Sequence, residues 1–271
     1  MTGRTPGSLA AWTPGSLAAW TPGSLAPRPG PAPLRRMLAA QTAAELRLVL
    51  RNGEQVLLSL LIPLGLLVLL VTVPFIAVVG PRADFFVPGV LALAVMSTAF
   101  TGQAIGVGFE RQYGVLKRLG ATPLPRALLL AAKTLAVLAV EVLQVTLICL
   151  AGLLLGWDPH GPVTAVVALV VLGTAAFSGL GLLLGGTLRG LTALAAANLV
   201  WFVLLVLGGV LFPLSAFGAA EPVLSLLPTA ALSSGLREVL TAGSLPLREM
   251  GALAVWATVS LAAATRLFRW E

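Results

Sequence analysis

The most constraining feature of this sequence is a series of six long apolar stretches, each long enough to cross a lipid bilayer as a helix. A spanning helix needs about 20 mostly apolar residues, because the hydrocarbon core is about 30 Å thick. Of the 271 residues, 58% are hydrophobic and only 10% are charged, whereas soluble domains carry about 25% charged residues. We therefore predict an all-α membrane protein with spans at residues 56–79, 85–109, 127–156, 163–188, 191–214 and 247–265.

Basic residues are distributed unevenly between the two ends of these spans. One side carries 14 Lys and Arg residues, including Lys133 near the start of span three, and the other carries only Arg82, Arg237 and Arg248. Because positive residues are retained in the cytoplasm, we predict a plasma-membrane protein with both termini cytoplasmic. The charges lie between apolar runs rather than in one block, so membrane lipid is the expected partner and nucleic acid is not.

Residues 1–33 differ in character from the rest of the chain. The unit TPGSLAAW occurs twice and is followed by TPGSLA and a Pro-rich stretch. Such a Pro/Gly/Ser repeat has neither helical nor strand periodicity, so we predict a disordered low-complexity tail. It has no continuous apolar segment of the kind found in a signal peptide. We interpret Met37 as the natural start, with the membrane domain covering residues 34–271.

Two segments outside the spans have their own helical pattern. Residues 34–52 place apolar and charged side chains on different faces, which favours an amphipathic helix in the inner interface over a plain extension of span one. We expect the bend into the membrane at Asn52 and Gly53. Residues 215–246 contain two apolar pieces too short to span, separated by Pro228. This pattern favours a re-entrant outer segment over an ordinary loop.

Residues 110–126 form the most charged stretch and read ERQYGVLKRLGATPLPR. Val115, Leu116 and Leu119 give this stretch an apolar face, and Gly120 and Pro123 would end a short helix. The pattern alone fits equally well a helix that contacts a cytoplasmic partner and a loop whose charges only orient the spans.

The sequence of residues 110–126 resembles the corresponding segment of ABC-2 family permeases, the membrane subunits of ATP-binding-cassette transporters, and in particular of daunorubicin-resistance-type drug exporters. Residues 51–70, which read RNGEQVLLSLLIPLGLLVLL, are similar to the entry of that family into span one. The closing FRWE is also a common ending there. The resemblance covers residues 35–271 and does not extend to residues 1–33.

The resemblance implies an exporter that moves a drug-like, lipid or other hydrophobic substrate outward. Residues 110–126 would hold a coupling helix that docks on a separate ATP-binding-cassette ATPase, and two permease chains would pair as a homodimer or heterodimer. The outer segment would help to close the exit, with Pro213 and Pro228 at the gate. The residues assigned to ATPase coupling are Glu110, Arg111, Tyr113, Gly114, Leu116, Lys117, Arg118, Thr122 and Pro123.

Catalytic, cofactor and metal sites are not expected in this chain. The Walker A pattern G-x-x-x-x-G-K-[ST] does not occur, so ATP and Mg²⁺ would be bound by the partner ATPase. A single histidine, His160, excludes an H-E-x-x-H zinc site. We therefore expect a transporter subunit rather than an enzyme.

Glu141 lies near the middle of span three, where a charge costs about 2.5 to 3.5 kcal/mol. With Gln144 one turn away, it either lines a substrate path or makes a structural hydrogen bond, for which Asn198 of span five is a candidate partner. The alternative function is an ion-coupled secondary transporter that uses Glu141. We expect Lys133 to extend its ammonium to the inner interface.

Overall fold

Helices account for most of the chain in the computed structural model, which describes residues 32–74 and 76–268, and these residues include no β-strand. The first half contains α1 (Leu34–Arg51), α2 (Gly53–Thr72), α3 (Arg82–Met96), a π-helix (Ser97–Gly102), α4 (Gln103–Gln112), α5 (Val115–Gly120) and α6 (Arg126–Leu154). The second half contains α7 (Val163–Thr187), α8 (Gly190–Leu207), a 3₁₀ helix (Leu214–Ala220), α9 (Glu221–Leu224), α10 (Pro228–Arg237), a second π-helix (Glu238–Ala242) and α11 (Leu247–Leu267).

Five of these helical segments are long and apolar enough to cross a membrane. They are α6, α7, α8, α11 and the continuous 31-residue helix Arg82–Gln112, which joins α3, the first π-helix and α4. A sixth is obtained if α1 and α2, which are bent by 69° relative to each other, count as one span. The prediction of an all-α membrane protein is confirmed, with five or six candidate spans in the described residues.

The first span ends at Thr72 rather than at residue 79 because the chain there turns around an arginine. Arg82, at the start of the next helix, donates hydrogen bonds from its guanidinium to carbonyl oxygens near the end of α2. The acceptors are the carbonyl oxygens of Leu70, Val71, Val73 and Ile76. Leu70 and Val71 belong to the last turn of α2, where carbonyl oxygens lack a following helical N–H group. The side chain of Arg82 therefore stabilises the helix end and ties α2 to α3.

The fifth span is also shorter than predicted, since α8 ends at Leu207 instead of residue 214. Gly209 adopts a φ of 70°, which interrupts the helix. Ser233 and Arg237 of α10 donate hydrogen bonds to the carbonyl oxygens of Gly208 and Gly209. The turn after α8 is therefore stabilised by a later segment of the chain.

The central element of the bundle is α3, which is buried almost from end to end and packs against α2, α6, α7 and α10. The continuation of this span packs closely on α7 at two glycines. A Cβ atom on Gly181 would lie 2.5 Å from the carbonyl oxygen of Phe100, and one on Gly185 would lie 2.6 Å from that of Ala104. Small residues therefore permit this helix contact, as is common in membrane bundles.

The predicted outer segment contains two short helices, α9 and α10, separated by three residues. Nearly every residue of α10 is buried, and the helix packs among α3, α7 and α11. A connecting segment enclosed by three long helices differs from an ordinary surface loop. Its depth in the membrane remains a prediction. The predicted repeat tail lies outside the described residues, apart from Ala32 and Pro33.

Candidate functional site

The short helix α5 lies where several long helices end. It starts at Gly114, whose φ of 72° allows the chain to reverse direction after α4. The side chain of Leu116 is fully buried in a cluster that contains residues of α4, α6, α7 and α11. The cluster consists of Val107, Leu116, Leu129, Leu130, Leu182, Ala264 and Phe268. This contact fixes α5 to the end of the bundle.

Most of the other predicted coupling residues around α5 are exposed. Lys117 and Arg118 are exposed on the helix, and Thr122 and Pro123 are exposed in the turn that follows. Tyr113 is 68% exposed and stacks on the ring of Phe109. The segment therefore combines one anchoring side chain with a basic, accessible surface.

Glu110 and Arg111 occupy a different position, because they belong to α4 and not to α5. Arg111 is buried and donates a hydrogen bond from Nη1 to the carbonyl oxygen of Gly186, 3.1 Å away. Glu110 accepts a hydrogen bond from Lys133. These two predicted coupling residues contact other helices of the bundle.

Glu110 is one of three charged residues, each from a separate helix, that lie close together. Nζ of Lys133 on α6 lies 2.7 Å from Oε1 of Glu110 and 2.9 Å from Oε2 of Glu45 on α1. Gln41 donates a further hydrogen bond to Oε1 of Glu45 at 2.8 Å. Oε2 of Glu110 has no hydrogen-bond partner among the described residues. We call Glu45, Glu110 and Lys133 the charge cluster.

The prediction that Lys133 extends to the inner interface is wrong, since only 5% of its side chain is exposed. The reason is that α1 lies along α6 and brings Glu45 to the ammonium group. The only sequence signal for this contact was that a lysine and two glutamates lie near the same side of the predicted spans. The pattern could not show which of them are in contact.

A cavity of about 230 Å³ lies next to the charge cluster, between α1, α6 and the second half of the span Arg82–Gln112. All three members of the cluster line it. The remaining lining residues are Leu48, Val49, Asn52, Thr98, Gly102, Gln103, Gly106, Val107, Ala136, Val137 and Val140. The lining therefore combines three charged side chains with a largely apolar wall.

Polar contacts surround the first π-helix, midway along its span. Thr98 donates to Oε1 of Gln144 at 3.0 Å, and Nε2 of Gln144 donates to the carbonyl oxygen of Ser59 at 2.9 Å. On another side, Nε1 of Trp201 donates to Oγ of Ser97 at 2.9 Å. A π-helix within an α-helix often marks a functional position. Here it connects α2, α6 and α8 through side chains.

Glu141 is fully buried and is hydrogen-bonded through Oε2 to the hydroxyl of Thr174. The same hydroxyl lies 2.7 Å from the carbonyl oxygen of Val170. A hydroxyl carries one proton, so both contacts are satisfied together when the Glu141 carboxyl is protonated and donates to Thr174. The suggested pairing with Asn198 is wrong, because Asn198 is exposed on α8. Glu141 and Gln144 are both buried on α6, whereas Asn198 lies apart from them on α8, and the role of all three in a substrate path stays a prediction.

Comparison with known proteins identifies the group to which this bundle belongs. The family described as "ABC-2 family transporter protein" matches residues 82–266, more than half of the chain. This chain belongs to the ABC-2 transporter family. It is also 26% identical over 213 residues to the Bacillus subtilis (strain 168) protein named "Putative transport permease YvfS", covering 77% of this chain and 87% of that protein. Membership supports a multi-pass ABC-2 transporter rather than an enzyme.

The family match begins at Arg82, so α1 and α2 lie before it. The charge cluster therefore joins one residue outside the matched region, Glu45, to two residues within it. In this ABC-2 transporter, α1 is attached to the matched bundle through a buried ion pair as well as through packing along α6.

At the opposite end of the ABC-2 bundle, the two predicted gate prolines start helical segments. Pro213 precedes the 3₁₀ helix, and Pro228 is the buried first residue of α10. Arg237, at the end of α10, places its guanidinium 4.0 Å from the ring centre of Phe85 and donates to the carbonyl oxygens of Phe85 and Gly209. The outer segment is thus attached to the start of the second span.

Proposed function

We propose that this chain is the permease subunit of an ATP-binding-cassette exporter and that a separate ATPase subunit drives it. The substrate would be drug-like, lipid or another hydrophobic compound, and it would move outward across the plasma membrane. Family membership supports the transporter class. The observation that carries the coupling proposal is the arrangement of α5, with Leu116 buried in the bundle and Lys117 and Arg118 exposed.

This arrangement suits the transfer of a force. A six-residue helix without tertiary contacts would be too short to be stable in water. The buried Leu116 instead joins α5 to residues of four long helices, so a push on the exposed side would reach all of them. We therefore assign docking to Tyr113, Lys117, Arg118, Thr122 and Pro123, and attachment to Leu116.

Glu110 and Arg111 would act one step further from the ATPase than the resemblance implies. Both side chains are bound within the permease, Arg111 to α7 and Glu110 to α6. We propose that they transmit the displacement of α5 to those helices and do not contact the ATPase themselves.

A second permease chain is proposed to cover α8. This helix is apolar and largely unburied, and it exposes Leu199 and Phe202 together with the polar Asn198. A carboxamide directed at hydrocarbon loses its hydrogen bonds with water, which costs free energy. In a two-fold symmetric pair, an amide can donate to and accept from its own copy, which would satisfy both groups.

The docking proposal is tested by reversing the exposed charges of α5 in the double variant Lys117→Glu/Arg118→Glu. The permease is purified from native membranes, and a co-purified protein with a Walker A sequence is sought by mass spectrometry. ATP-dependent uptake of a fluorescent lipophilic dye is then measured in inside-out vesicles. We expect the double variant to lose most of the ATPase and most of the uptake.

The matched control is Arg35→Glu/Arg36→Glu, which reverses two adjacent exposed arginines on α1. It makes the same change in net charge at the same predicted side of the membrane. Normal ATPase retention and uptake in the α5 variant would contradict the docking proposal. An equal loss in both variants would show a general charge effect and would also contradict it.

A further inference from the structure

The cavity beside the charge cluster has the composition of a binding site for an amphipathic cation. Two carboxylates, Glu45 and Glu110, line it, and Lys133 is the one basic side chain among the lining residues. The formal charge of the lining is therefore −1. This contrasts with the chain as a whole, whose formal net charge is +7. The cavity is an acidic position at a strongly basic end of the bundle.

Within the charge cluster, Glu110 is the most accessible member. Its side chain is 24% exposed, compared with 10% for Glu45 and 5% for Lys133. Both oxygens of Glu45 accept a hydrogen bond, whereas Oε2 of Glu110 has no partner among the described residues. A buried acceptor without a donor is unfavourable. Of the four carboxylate oxygens in the charge cluster, Oε2 of Glu110 is therefore the one that lacks a donor in the described part of the chain.

The rest of the lining suits a hydrocarbon chain. Apolar side chains from three helices line the cavity: Leu48 and Val49 of α1, Val107 of α4, and Val137 and Val140 of α6. Gly106 leaves space, since a Cβ atom added there would have no atom within 4 Å. Burial of apolar ligand surface against these side chains is favourable by about 25 cal/mol per Å².

From this juxtaposition we propose that the cavity binds an amphipathic molecule with its single ammonium group next to the Glu110 carboxylate and its hydrocarbon part between α1, α4 and α6. A rotation of the Glu110 side chain would bring its buried Oε2 to the ammonium group. With the ligand bound, its ammonium group and Lys133 balance the two carboxylates, so the net formal charge of the site is zero. The charge cluster lies at the end of the bundle that the charge distribution predicts to be cytoplasmic. The ligand would therefore come from the inner leaflet, either as a lipid amine or as a free cationic amphiphile.

The test measures equilibrium binding of radiolabelled hexylammonium to the full-length chain in nanodiscs of phosphatidylglycerol. Saturable binding is expected for hexylammonium, and much weaker binding for hexanol and hexanoate. Glu110→Gln keeps the shape and can still accept from Lys133, but it makes the lining neutral. We expect it to weaken binding at least about tenfold, which corresponds to about 1.4 kcal/mol.

Two further variants separate this site from general effects. Glu54→Gln removes the same charge from an exposed position of α2 and should bind hexylammonium as the original chain does. Gly106→Leu fills the cavity without changing charge and should abolish saturable binding, even if Glu110→Gln proves unstable. Unchanged binding in Gly106→Leu, or equal binding of hexylammonium and hexanol, would overturn the proposal.

The source of the ammonium group is distinguished by repeating the titration with phosphatidylethanolamine in the nanodisc. A lipid amine in the cavity would weaken the apparent affinity for hexylammonium in the original chain. Unchanged affinity would identify the ligand as a free amphiphile. This binding test needs neither the ATPase nor transport, so its failure would leave the proposed permease function untouched.

Discussion

Replacing Lys133 with methionine should destabilise the bundle because it removes the ammonium that separates two buried carboxylates. Both nearest oxygens lie within 2.9 Å of Nζ, so they are no more than about 6 Å from each other. Two negative charges at about 6 Å repel each other by about 3 kcal/mol at an effective dielectric constant of about 20. Measured costs of breaking one side of a buried ion pair are about 3 to 5 kcal/mol. We therefore expect Lys133→Met to lower the free energy of unfolding by about 3 kcal/mol.

The assay is thermal unfolding of the chain in nanodiscs, where this loss corresponds to a decrease of about 6 to 12 °C in Tm. Lys117→Met is a matched control, since Lys117 is the only other lysine and is exposed on α5. It should leave Tm nearly unchanged.

A triple variant, Glu45→Gln/Glu110→Gln/Lys133→Met, tests the electrostatic reasoning separately. It removes all three charges while nearly preserving their volumes, and neutral replacement of a buried ion network is often close to neutral for stability. The triple variant should therefore be more stable than Lys133→Met alone. A triple variant no more stable than the single one would refute the charge-based explanation, as would a Lys133→Met chain with the original Tm.

Three other predictions concern separate parts of the bundle. With Cys149 replaced by alanine, Asn198→Cys should form a disulfide-linked dimer in oxidised membranes. Val255→Cys, at an exposed position of α11, should not form one. The reverse result would place the second chain against α11 instead of α8. The infrared spectrum should contain a protonated-carboxyl band that disappears in Glu141→Gln, and its absence from the original chain would contradict the protonation inferred from the hydrogen bonds. Arg82→Gln should lower the free energy of unfolding by about 1.5 to 3 kcal/mol for each hydrogen bond that is not replaced. An unchanged free energy of unfolding would show that the carbonyls at the end of α2 need no such donor.

The positions of the membrane helices could be predicted well because their signal is local. An apolar run of sufficient length identifies a span wherever its partners lie, and α6, α7 and α11 begin and end within a few residues of the prediction. The errors occur where a distant side chain decides the boundary. Arg82 stabilises the early end of α2, and Ser233 and Arg237 stabilise the turn after α8.

The site was harder to predict because its contacts join distant parts of the chain. Glu45 is 88 positions from Lys133, and no periodicity connects them. The π-helix at residues 97–102 lies within a continuous helix of 31 residues, and a hydropathy window cannot distinguish a π-helix from an α-helix. By contrast, the exposure of Lys117 and Arg118 and the burial of Leu116 follow from their amphipathic spacing. Val115, which the pattern assigns to the same apolar face as Leu116, is 39% exposed.

The hydrogen bonds of Arg82 have a mechanical consequence for the first two spans. Arg82 joins α2 to the beginning of a 31-residue helix, and α5 follows the other end of that helix, about 46 Å away. A small rotation of this helix about Arg82 would therefore produce a large displacement at its other end. A rotation of about 5° around Arg82 would displace the end next to α5 by about 4 Å, a distance estimated from the rise per residue. Atoms close to Arg82 would move little in such a rotation, because displacement grows with distance from the pivot, whereas Glu110 in the wall of the cavity would move by nearly the full amount.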